Sequence, residues 1–415
     1  MVLIRAKIFS DAKFIEIEEP FIKILEHPLM QRLRWIDQFG IYTSIIFHDA
    51  KRSRFSHALG CFELADRITN HLEQKEELDE FQALHLKLAA LIHDLFHPPG
   101  SHATEAVLGR HDKIEYYLKL RREIEKCGFD FDYTLKLLSE KVPESKILFG
   151  KVIGIDFLEY SFGDAPLFGT NPPVGPDVIL PFLEFDGKFY GVDSRIAEEL
   201  IKLGNFRADM FATKYRRKGC ELLERLFQKM VKLLLNEYKV EEIRKWRDFE
   251  LLSALAKSKY TKDVFEEVFS QRKLPKQVVA IKIEGYEKTV VKRGKPMYVC
   301  SASFSELERL EKKLLKEKEE LEKEIASLIN CDWRRVVVTT PHYKAPSIRN
   351  GIPEEDVTLF EGSNRRSLFG LYPHYRSALK EMYAAHYTIR IGVPEKYRRK
   401  CAKLGRKIEN LMFNF

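Results

Sequence analysis

One nearly wholly apolar segment that ends in adjacent histidine and aspartate residues constrains this chain most strongly. Leu84 to Phe96 is apolar almost all round, which predicts a buried central helix, and His93-Asp94 closes that helix. The next residues, His97-Pro98-Pro99-Gly100-Ser101-His102, stop the helix and begin another. Imidazole and carboxylate groups are costly to bury unless they are satisfied, and a bound divalent metal ion satisfies both. The pattern therefore indicates metal chemistry at the end of a core helix.

Two further residues are candidates for the same site, because an open metal site needs about three protein ligands or more. His57 follows Arg54-Phe55-Ser56 at the start of an apolar helix. Asp156 lies in the apolar run 154–164, which abruptly carries carboxylates. Both residues add donors to those of the His-Asp pair.

The pattern of apolar residues divides the chain into a helical part and a mixed part. Residues 20–138 carry helical spacing, and Asp186-Gly187 predicts a hairpin in an insertion over about 165–192. After residue 274, strands alternate with helices. Residues 278–283 and 288–291 read as strands, and residues 305–308 read as a capping box. We expect a mostly α fold with one domain over 1–274 (core about 25–235) and a C-terminal α+β domain over 275–415, for oligomerisation or regulation.

Composition bounds the class of protein. The 415 residues are 45% hydrophobic and 32% charged, as in a globular protein, and the net charge of +8 decides neither for an anionic substrate nor for nucleic acid. Six widely spaced cysteines form no C-x-x-C pair, which favours a reducing cytoplasm. We expect no signal peptide, since the N-terminus becomes charged at once, and no membrane span. Abundant Lys, Arg and Glu indicate a thermophilic source.

Several motifs follow one another in a fixed order over residues 5–230. They are Arg-Phe-x-His at 54–57, His-Asp-Leu-x-His-x-Pro-x-Ser-His at 93–102, and Asp-x-x-Glu-Tyr-x-x-x-Asp at 156–164, with Gln-Arg-Leu-Arg-x-Ile-x-Gln at 31–38 before them. This series resembles the HD-domain phosphohydrolases and looks closest to their deoxynucleoside triphosphate triphosphohydrolase (dNTPase) branch. The resemblance implies an HD-domain helical fold for the first part of the chain.

The resemblance also implies the residues that carry the chemistry. Four side chains match the family's metal ligands: His57, His93, Asp94 and Asp156. The ion is divalent, with Mn, Mg, Fe, Co, Ni and Zn all left open. Five further side chains match the positions around that centre: His102, Glu105, His97, His111 and Arg54. In this pattern His102 contacts the α-phosphate or protonates the leaving oxygen, Glu105 orients it, and Arg54 clamps a phosphate.

Nucleotide selection follows from the same resemblance. Gln38, Tyr160 and Asp164 match the residues around the sugar, with Phe39 beside the glutamine. Arg207, Phe211 and Tyr215 recur at helical spacing and Lys218 follows, which matches residues that hold the sugar and distal phosphates, although aromatic residues at this spacing are as often core.

The chain departs from the family pattern at four positions. Phe157 replaces a lysine that contacts phosphate, Phe39 replaces leucine, Arg217 replaces histidine, and Glu159 replaces aspartate. Loss of the lysine either weakens triphosphate binding or moves that role to another basic residue.

The expected activity is metal-dependent hydrolysis of (deoxy)nucleoside triphosphates to nucleoside and triphosphate, with water attacking the α-phosphorus. One alternative is a phosphohydrolase of monophosphates or cyclic nucleotides. Another is a nucleotide- or nucleic-acid-binding regulator that uses the metal centre as a sensor. The resemblance implies a homo-oligomer, and nothing in the sequence indicates a membrane partner.

Overall fold

A computed structural model of the chain describes residues 2–8, 11–40, 43–290, 294–341 and 356–414. The first half is a succession of helices, as the apolar spacing predicts. Their bounds are α1 (Phe21–Glu26), α2 (Pro28–Arg32), α3 (Thr43–Ile46), α4 (Arg54–Gln74), α5 (Glu80–Ile92), α6 (His102–Leu108), α7 (Ile114–Tyr117), α8 (Arg121–Lys126), α9 (Phe131–Leu138), α10 (Ser145–Phe149), α11 (Ile155–Asp164), α12 (Pro176–Ile179) and α13 (Ala197–Met210).

The later helices are fewer and include one long, charged helix. Their bounds are α14 (Lys218–Leu234), α15 (Val240–Ile243), α16 (Asp248–Lys257), α17 (Lys262–Phe265), α18 (Phe304–Ile329), α19 (Leu368–Leu371), α20 (Pro373–His386), α21 (Arg398–Lys403) and α22 (Gly405–Asn414). The charged helix α18 buries the predicted apolar stripe, including Leu307, Leu314 and Leu321. Its capping box is formed by Ser303 and Glu306, so the predicted box at 305–308 is wrong by two residues.

The strands form three small sheets among the described residues. Their bounds are β1 (Val2–Ile8), β2 (Asp11–Ile17), β3 (Leu183–Phe185), β4 (Tyr190–Asp193), β5 (Lys276–Ile283), β6 (Tyr298–Ala302), β7 (Val337–Thr339), β8 (Thr358–Glu361), β9 (Asn364–Ser367) and β10 (Ile389–Val393). The sheet orders are β1-β2, β3-β4-β8-β9 and β6-β5-β10-β7. The hairpin predicted at Asp186-Gly187 is confirmed, since β3 and β4 pair antiparallel around it. The strand predicted at 288–291 is wrong where it is described, because Glu287–Thr289 is a 3₁₀ turn.

Two compact units make up the fold, each assembled from three stretches of chain. The first contains residues 1–207, 243–249 and 354–376, and the second contains 208–242, 250–353 and 377–415. The mostly α fold with a helical HD-type part and a C-terminal α+β part is confirmed. The division into 1–274 and 275–415 stays a prediction.

Helices α4, α5 and α11 form the part of the first unit that bears the candidate site. Helix α4 packs against both α5 and α11. Residues 88–92 of α5 are all buried, as the all-round apolar pattern predicts. Because α5 ends at Ile92, the polar pair that follows lies at the end of a core helix. Within the described residues, no helix has the length and apolarity that crossing a bilayer requires.

Candidate metal and phosphate site

Three helices bring ligand-type side chains to one point. His57 lies on the first turn of α4, His93 caps the end of α5, and Asp156 lies on the first turn of α11. The Asp156 Oδ1 atom is 3.2 Å from His57 Nε2 and 3.6 Å from His93 Nε2. Cys61 Sγ joins them at 3.6 Å from His57 Nε2. These separations are those of neighbouring ligands around one ion.

The hydrogen bonds of the two imidazoles leave one nitrogen of each facing that point. His93 Nδ1 donates to the carbonyl oxygen of Ala90 at 2.9 Å, and His57 Nδ1 donates to the buried carboxylate of Glu159. His93 Nε2 is buried and has no hydrogen-bond partner in the described part of the chain. Burying such an atom is costly unless something binds it. Two imidazoles and a carboxylate converge here, and one imidazole nitrogen has no partner among the residues that the structure describes. This set of groups fits a divalent metal ion.

Asp94 lies between this metal-type group and a second group of histidines. Its Oδ2 atom accepts from Arg54 and is 3.5 Å from His57 Nε2, while Oδ1 is 3.6 Å from His93 Nε2. The same Oδ1 accepts from His97 Nε2 at 3.1 Å. Burial opposes ionisation of Asp94, but Arg54 and the imidazoles hold its pKa well below the usual range. Asp94 is therefore a carboxylate at neutral pH.

The second group consists of His97, His102, Glu105 and His111, whose ligand atoms lie within 4.8 Å of one another. Glu105 accepts from His102 Nδ1 at 3.0 Å and from both the ring and the backbone N–H of His111. The His97 and His111 rings stack with centroids 3.7 Å apart. His102 is the exposed member, with 55% of its side chain accessible. The structure thus places one accessible imidazole on a carboxylate that fixes its orientation.

His97 is held neutral by its surroundings. Burial lowers its pKa well below the usual value, and the cationic Arg54 lowers it further. Arg54 itself is buried, and its guanidinium binds Asp94, Ser101 Oγ and the Gln38 carbonyl oxygen. Every nitrogen of this guanidinium has a partner inside the protein, which favours a role in holding Asp94 and Ser101.

A buried ion pair holds the Nδ1 side of the His57 imidazole, opposite the nitrogen that faces the metal-type group. Arg52 binds the Glu159 carboxylate with both terminal nitrogens and binds Asp164 Oδ1 at 3.0 Å. The Glu159 side chain is fully buried. A Cβ atom on Gly60 would overlap Glu159, and one on Gly163 would overlap Arg52. Both glycines therefore make room for the pair that orients His57.

The segment 243–249 holds the backbone of the loop after α5. Asp248 accepts from the backbone N–H of Asp37 at 2.7 Å and of Gly100 at 2.8 Å. Arg244 donates to the carbonyl oxygen of Phe96 at 3.0 Å. These bonds fix the stretch of chain that carries the second histidine group.

Two of the predicted sugar-site residues, Tyr160 and Asp164, lie on α11. Tyr160 Oη lies 3.1 Å from Arg207 Nε, and the Arg207 guanidinium lies 5.1 Å from the centre of the Phe157 ring. Asp164 is buried on Arg52, and the Oε1 atom of Gln38 is buried without a hydrogen-bond partner among described residues. Phe39 packs edge-on against another aromatic ring, that of Phe168. The Arg207 guanidinium thus lies over Phe157, the residue that replaces the lysine of the family pattern.

The remaining predicted substrate residues belong to the second unit. Phe211–Tyr215 is a π-helical turn that follows α13, so the α-helical spacing from Arg207 does not continue through it. Lys218 begins α14. The roles given to Phe211, Tyr215 and Lys218 stay predictions.

Sequence reasoning missed several residues that shape the site. Cys61 could have been found from its i+4 spacing after His57 on one helix face. Asp248 and Arg244 carry no local signal, because their partners lie about 135–211 residues away in sequence. Tyr117, whose Oη donates to the His93 carbonyl oxygen from 24 residues further along the chain, lies in none of the motifs.

Comparison with known proteins confirms the resemblance. A family model described as the HD domain matches residues 54–143. An uncharacterised protein of Methanocaldococcus jannaschii is 31% identical over 170 residues, which is 41% of this chain and 35% of that protein. The deoxynucleoside triphosphate triphosphohydrolase SAMHD1 of Gallus gallus is 40% identical over 101 residues, covering 23% and 16% of the two chains, and that of Homo sapiens is 36% identical over 91 residues, covering 21% and 14%. The chain thus spans about a third or less of these relatives.

Solved structures match over nearly the whole chain and show the fold. A phosphohydrolase from Bacteroides thetaiotaomicron is 15% identical with a TM-score of 0.71, covering 95% of this chain and 100% of that one. A hypothetical protein from Aquifex aeolicus is 22% identical with a TM-score of 0.69, covering 97% and 99%.

Proposed function

The chain carries an HD domain of the phosphohydrolase type over residues 54–143, and on this premise we propose that it hydrolyses deoxynucleoside triphosphates to nucleoside and triphosphate. The observation that carries the proposal is the position of Asp94. One carboxylate contacts the metal-type group through His57 and His93, and the proton-handling group through His97. A metal-assisted attack and a proton donor for the leaving group are thereby available within one site.

A divalent ion held by His57, His93, Asp94 and Asp156 would supply charge that polarises a phosphoryl oxygen and activates water. The chain's own residues prepare this site. His57 and His93 are fixed by hydrogen bonds from their Nδ1 atoms, so that both Nε2 atoms point inward. Arg54 balances the charge of Asp94 and holds Ser101 beside it.

His102 is the proton donor in this proposal. Water attacks the α-phosphorus and releases a proton to solvent, while the bond from phosphorus to the 5′ oxygen breaks. That oxygen receives a proton from His102 to give the nucleoside, and solvent then returns a proton to His102. Glu105 accepts from His102 Nδ1, so the opposite ring nitrogen is oriented outward. The exposure of this imidazole lets it reach a bound nucleotide. Such proton transfer typically contributes about 10²–10⁴-fold in rate.

Arg207 supports a triphosphate substrate despite the loss of the family's lysine. Its guanidinium lies over Phe157, the residue that replaces the lysine, and beside Tyr160. A guanidinium suits phosphate oxygens because it presents paired donors. We propose that Arg207 takes the lysine's role, with Gln38 and Tyr160 at the sugar.

The test is product analysis with dNTPs, NTPs, monophosphates and cyclic nucleotides in the presence of Mn²⁺, Mg²⁺, Fe²⁺, Co²⁺, Ni²⁺ or Zn²⁺. We expect inorganic triphosphate from dNTPs, loss of bound metal and turnover in His93→Ala and Asp94→Ala, and full activity in the control His374→Ala, which alters an exposed histidine. Phosphate or pyrophosphate as product would instead support another phosphohydrolase. Salt-sensitive oligonucleotide binding without turnover would support a regulator.

We also propose that the protein self-associates and acts in the cytoplasm, as the resemblance implies. Light scattering at several concentrations tests the first point. A monomer at every concentration would refute it.

A further inference from the structure

We propose that Cys61 is a sulfur ligand of the metal centre and biases that centre towards a thiophilic ion such as Zn²⁺. The inference rests on the proposed metal centre and deepens it. It concerns a residue outside the four ligands that the sequence predicts. Thiolate ligands select zinc and iron over magnesium and manganese, which prefer oxygen.

The geometry around Cys61 matches that of a ligand. Cys61 lies one helical turn after His57 on α4, and its Sγ atom is 3.6 Å from His57 Nε2. Nitrogen at about 2.1 Å and sulfur at about 2.3 Å from one ion lie about 3.6 Å apart when the nitrogen–metal–sulfur angle is about 109°. The ligand atoms of His57, Cys61, His93 and Asp156 all lie within 4.8 Å of one another.

A second observation points to an ion at the same place. His93 Nε2 belongs to this group, is buried, and has no hydrogen-bond partner in the described part of the chain. The His93 side chain is 5% exposed. A buried imidazole nitrogen of this kind needs a proton donor or a metal ion. Cys61 and His93 come from different helices, so the two observations are independent.

The surroundings of Cys61 differ from those of the other buried thiols. A buried cysteine usually behaves as a small hydrophobic side chain. Cys61 instead faces the two ring nitrogens of His57 at 3.6 and 3.9 Å. Cys220 and Cys401 are also buried, but they lie in the second unit and outside this group. They provide matched controls for the loss of a buried thiol.

Binding at sulfur replaces the S–H bond with an S–metal bond and releases the proton to solvent. No oxidant or reductant takes part. The thiolate charge adds to those of Asp94 and Asp156, and Arg54 offsets part of the total through its ion pair with Asp94.

X-ray absorption of the zinc-loaded full chain tests the proposal directly. We expect one sulfur neighbour at about 2.3 Å together with nitrogen and oxygen at about 2.0–2.2 Å. The sulfur signal should vanish in Cys61→Ala and persist in Cys401→Ala. Stoichiometric zinc with only nitrogen and oxygen neighbours in the wild type would overturn the role of Cys61 and leave the proposed metal centre intact. Absence of bound metal from the wild type would overturn both.

The ratio of Zn²⁺ affinity to Mn²⁺ affinity gives a second readout, because a purely structural effect of the substitution would not change that ratio. We expect Cys61→Ala to lower Zn²⁺ affinity by about 10–100-fold and to change Mn²⁺ affinity by less than about 3-fold. Cys61→Ser keeps the volume and serves if the alanine variant unfolds. Equal losses for both ions in a folded variant would show a structural effect and refute the proposal. In the Co²⁺-loaded wild type, a near-ultraviolet sulfur-to-metal charge-transfer band is expected, and its absence would refute sulfur ligation.

Discussion

Replacing Glu159 with glutamine tests how the protein prepares His57 for metal binding. The Glu159 carboxylate is fully buried, accepts from His57 Nδ1, and pairs with both terminal nitrogens of Arg52. Glutamine keeps the size of the side chain, so it avoids new overlap with Gly60. In the wild type, the negative charge of Glu159 fixes the His57 imidazole and makes it a more basic ligand. The substitution removes this charge.

The expected magnitude follows from these contacts. Loss of a carboxylate behind a metal-binding histidine typically costs about 10–100-fold in metal affinity, or about 1.4–2.8 kcal/mol. Breaking a buried ion pair by removing one partner costs about 3–5 kcal/mol of stability. Arg52 also donates to Asp164 Oδ1 at 3.0 Å, a pairing that the substitution leaves in place, so the loss of stability should fall below that range.

Calorimetric metal titration of Glu159→Gln is the assay, and Glu322→Gln is the matched control. Glu322 is also fully buried and binds Arg225 and Lys229, but it lies in the second unit. The control should lose stability and keep wild-type metal affinity. Unchanged metal affinity in folded Glu159→Gln, or an equal loss in the control, would refute the reasoning.

Three further predictions concern packing, pH and metal removal. Gly60→Ala should displace Glu159 and lower metal affinity by about 10-fold or more, measured by the same titration. Burial raises the pKa of Asp37 to about 7 and that of Asp248 to about 6. Both values exceed the unfolded value of about 3.9, so these two groups bind more protons in the folded state and their contribution to stability should fall from pH 4 to 7. The melting temperature of the wild type relative to that of Asp248→Asn should therefore fall over this range. Removal of metal by a chelator should lower the melting temperature, and restored Zn²⁺ should raise it again.

Each of these predictions has a contradicting outcome. Wild-type metal affinity in Gly60→Ala would contradict the role of close packing against Glu159. A melting temperature of the wild type that stays constant or rises relative to that of Asp248→Asn between pH 4 and 7 would contradict the burial of these carboxyl groups. An unchanged melting temperature after verified metal removal would contradict coupling of metal to the fold.

The sequence predicts the end of the core helix correctly because the signal there is local. An all-round apolar helix can stop only where polar groups find partners, and His93-Asp94 followed by Pro98-Pro99 marks that point. The hairpin at Asp186-Gly187 is confirmed for the same reason. Strong local turn chemistry leaves few alternatives.

The errors and omissions arise where partners are remote. The run 288–291 has β-branched residues, yet β5 pairs with Tyr298–Ala302. The sequence pattern of β4 also does not show that it pairs with β8, which lies more than 150 residues further along the chain. Two Ser-x-x-Glu patterns overlap at the start of α18, and the serine of the first pattern caps the helix.

In the candidate site, too, the residues within motifs could be predicted from the sequence, and those with remote partners could not. The resemblance carried by the motifs predicts His57, His93, Asp94 and Asp156 as one group, whereas the support from Arg52 and Asp248 becomes visible only in three dimensions. A charged side chain with a distant buried partner looks like any surface charge in a sequence.

Isotope labelling tests the central claim most directly. Hydrolysis of a dNTP in ¹⁸O-labelled water, followed by mass spectrometry of both products, locates the atom that water attacks. The account predicts one ¹⁸O in inorganic triphosphate and none in the nucleoside, because attack occurs at the α-phosphorus. Label in the nucleoside, or release of labelled phosphate or pyrophosphate in place of triphosphate, would contradict it.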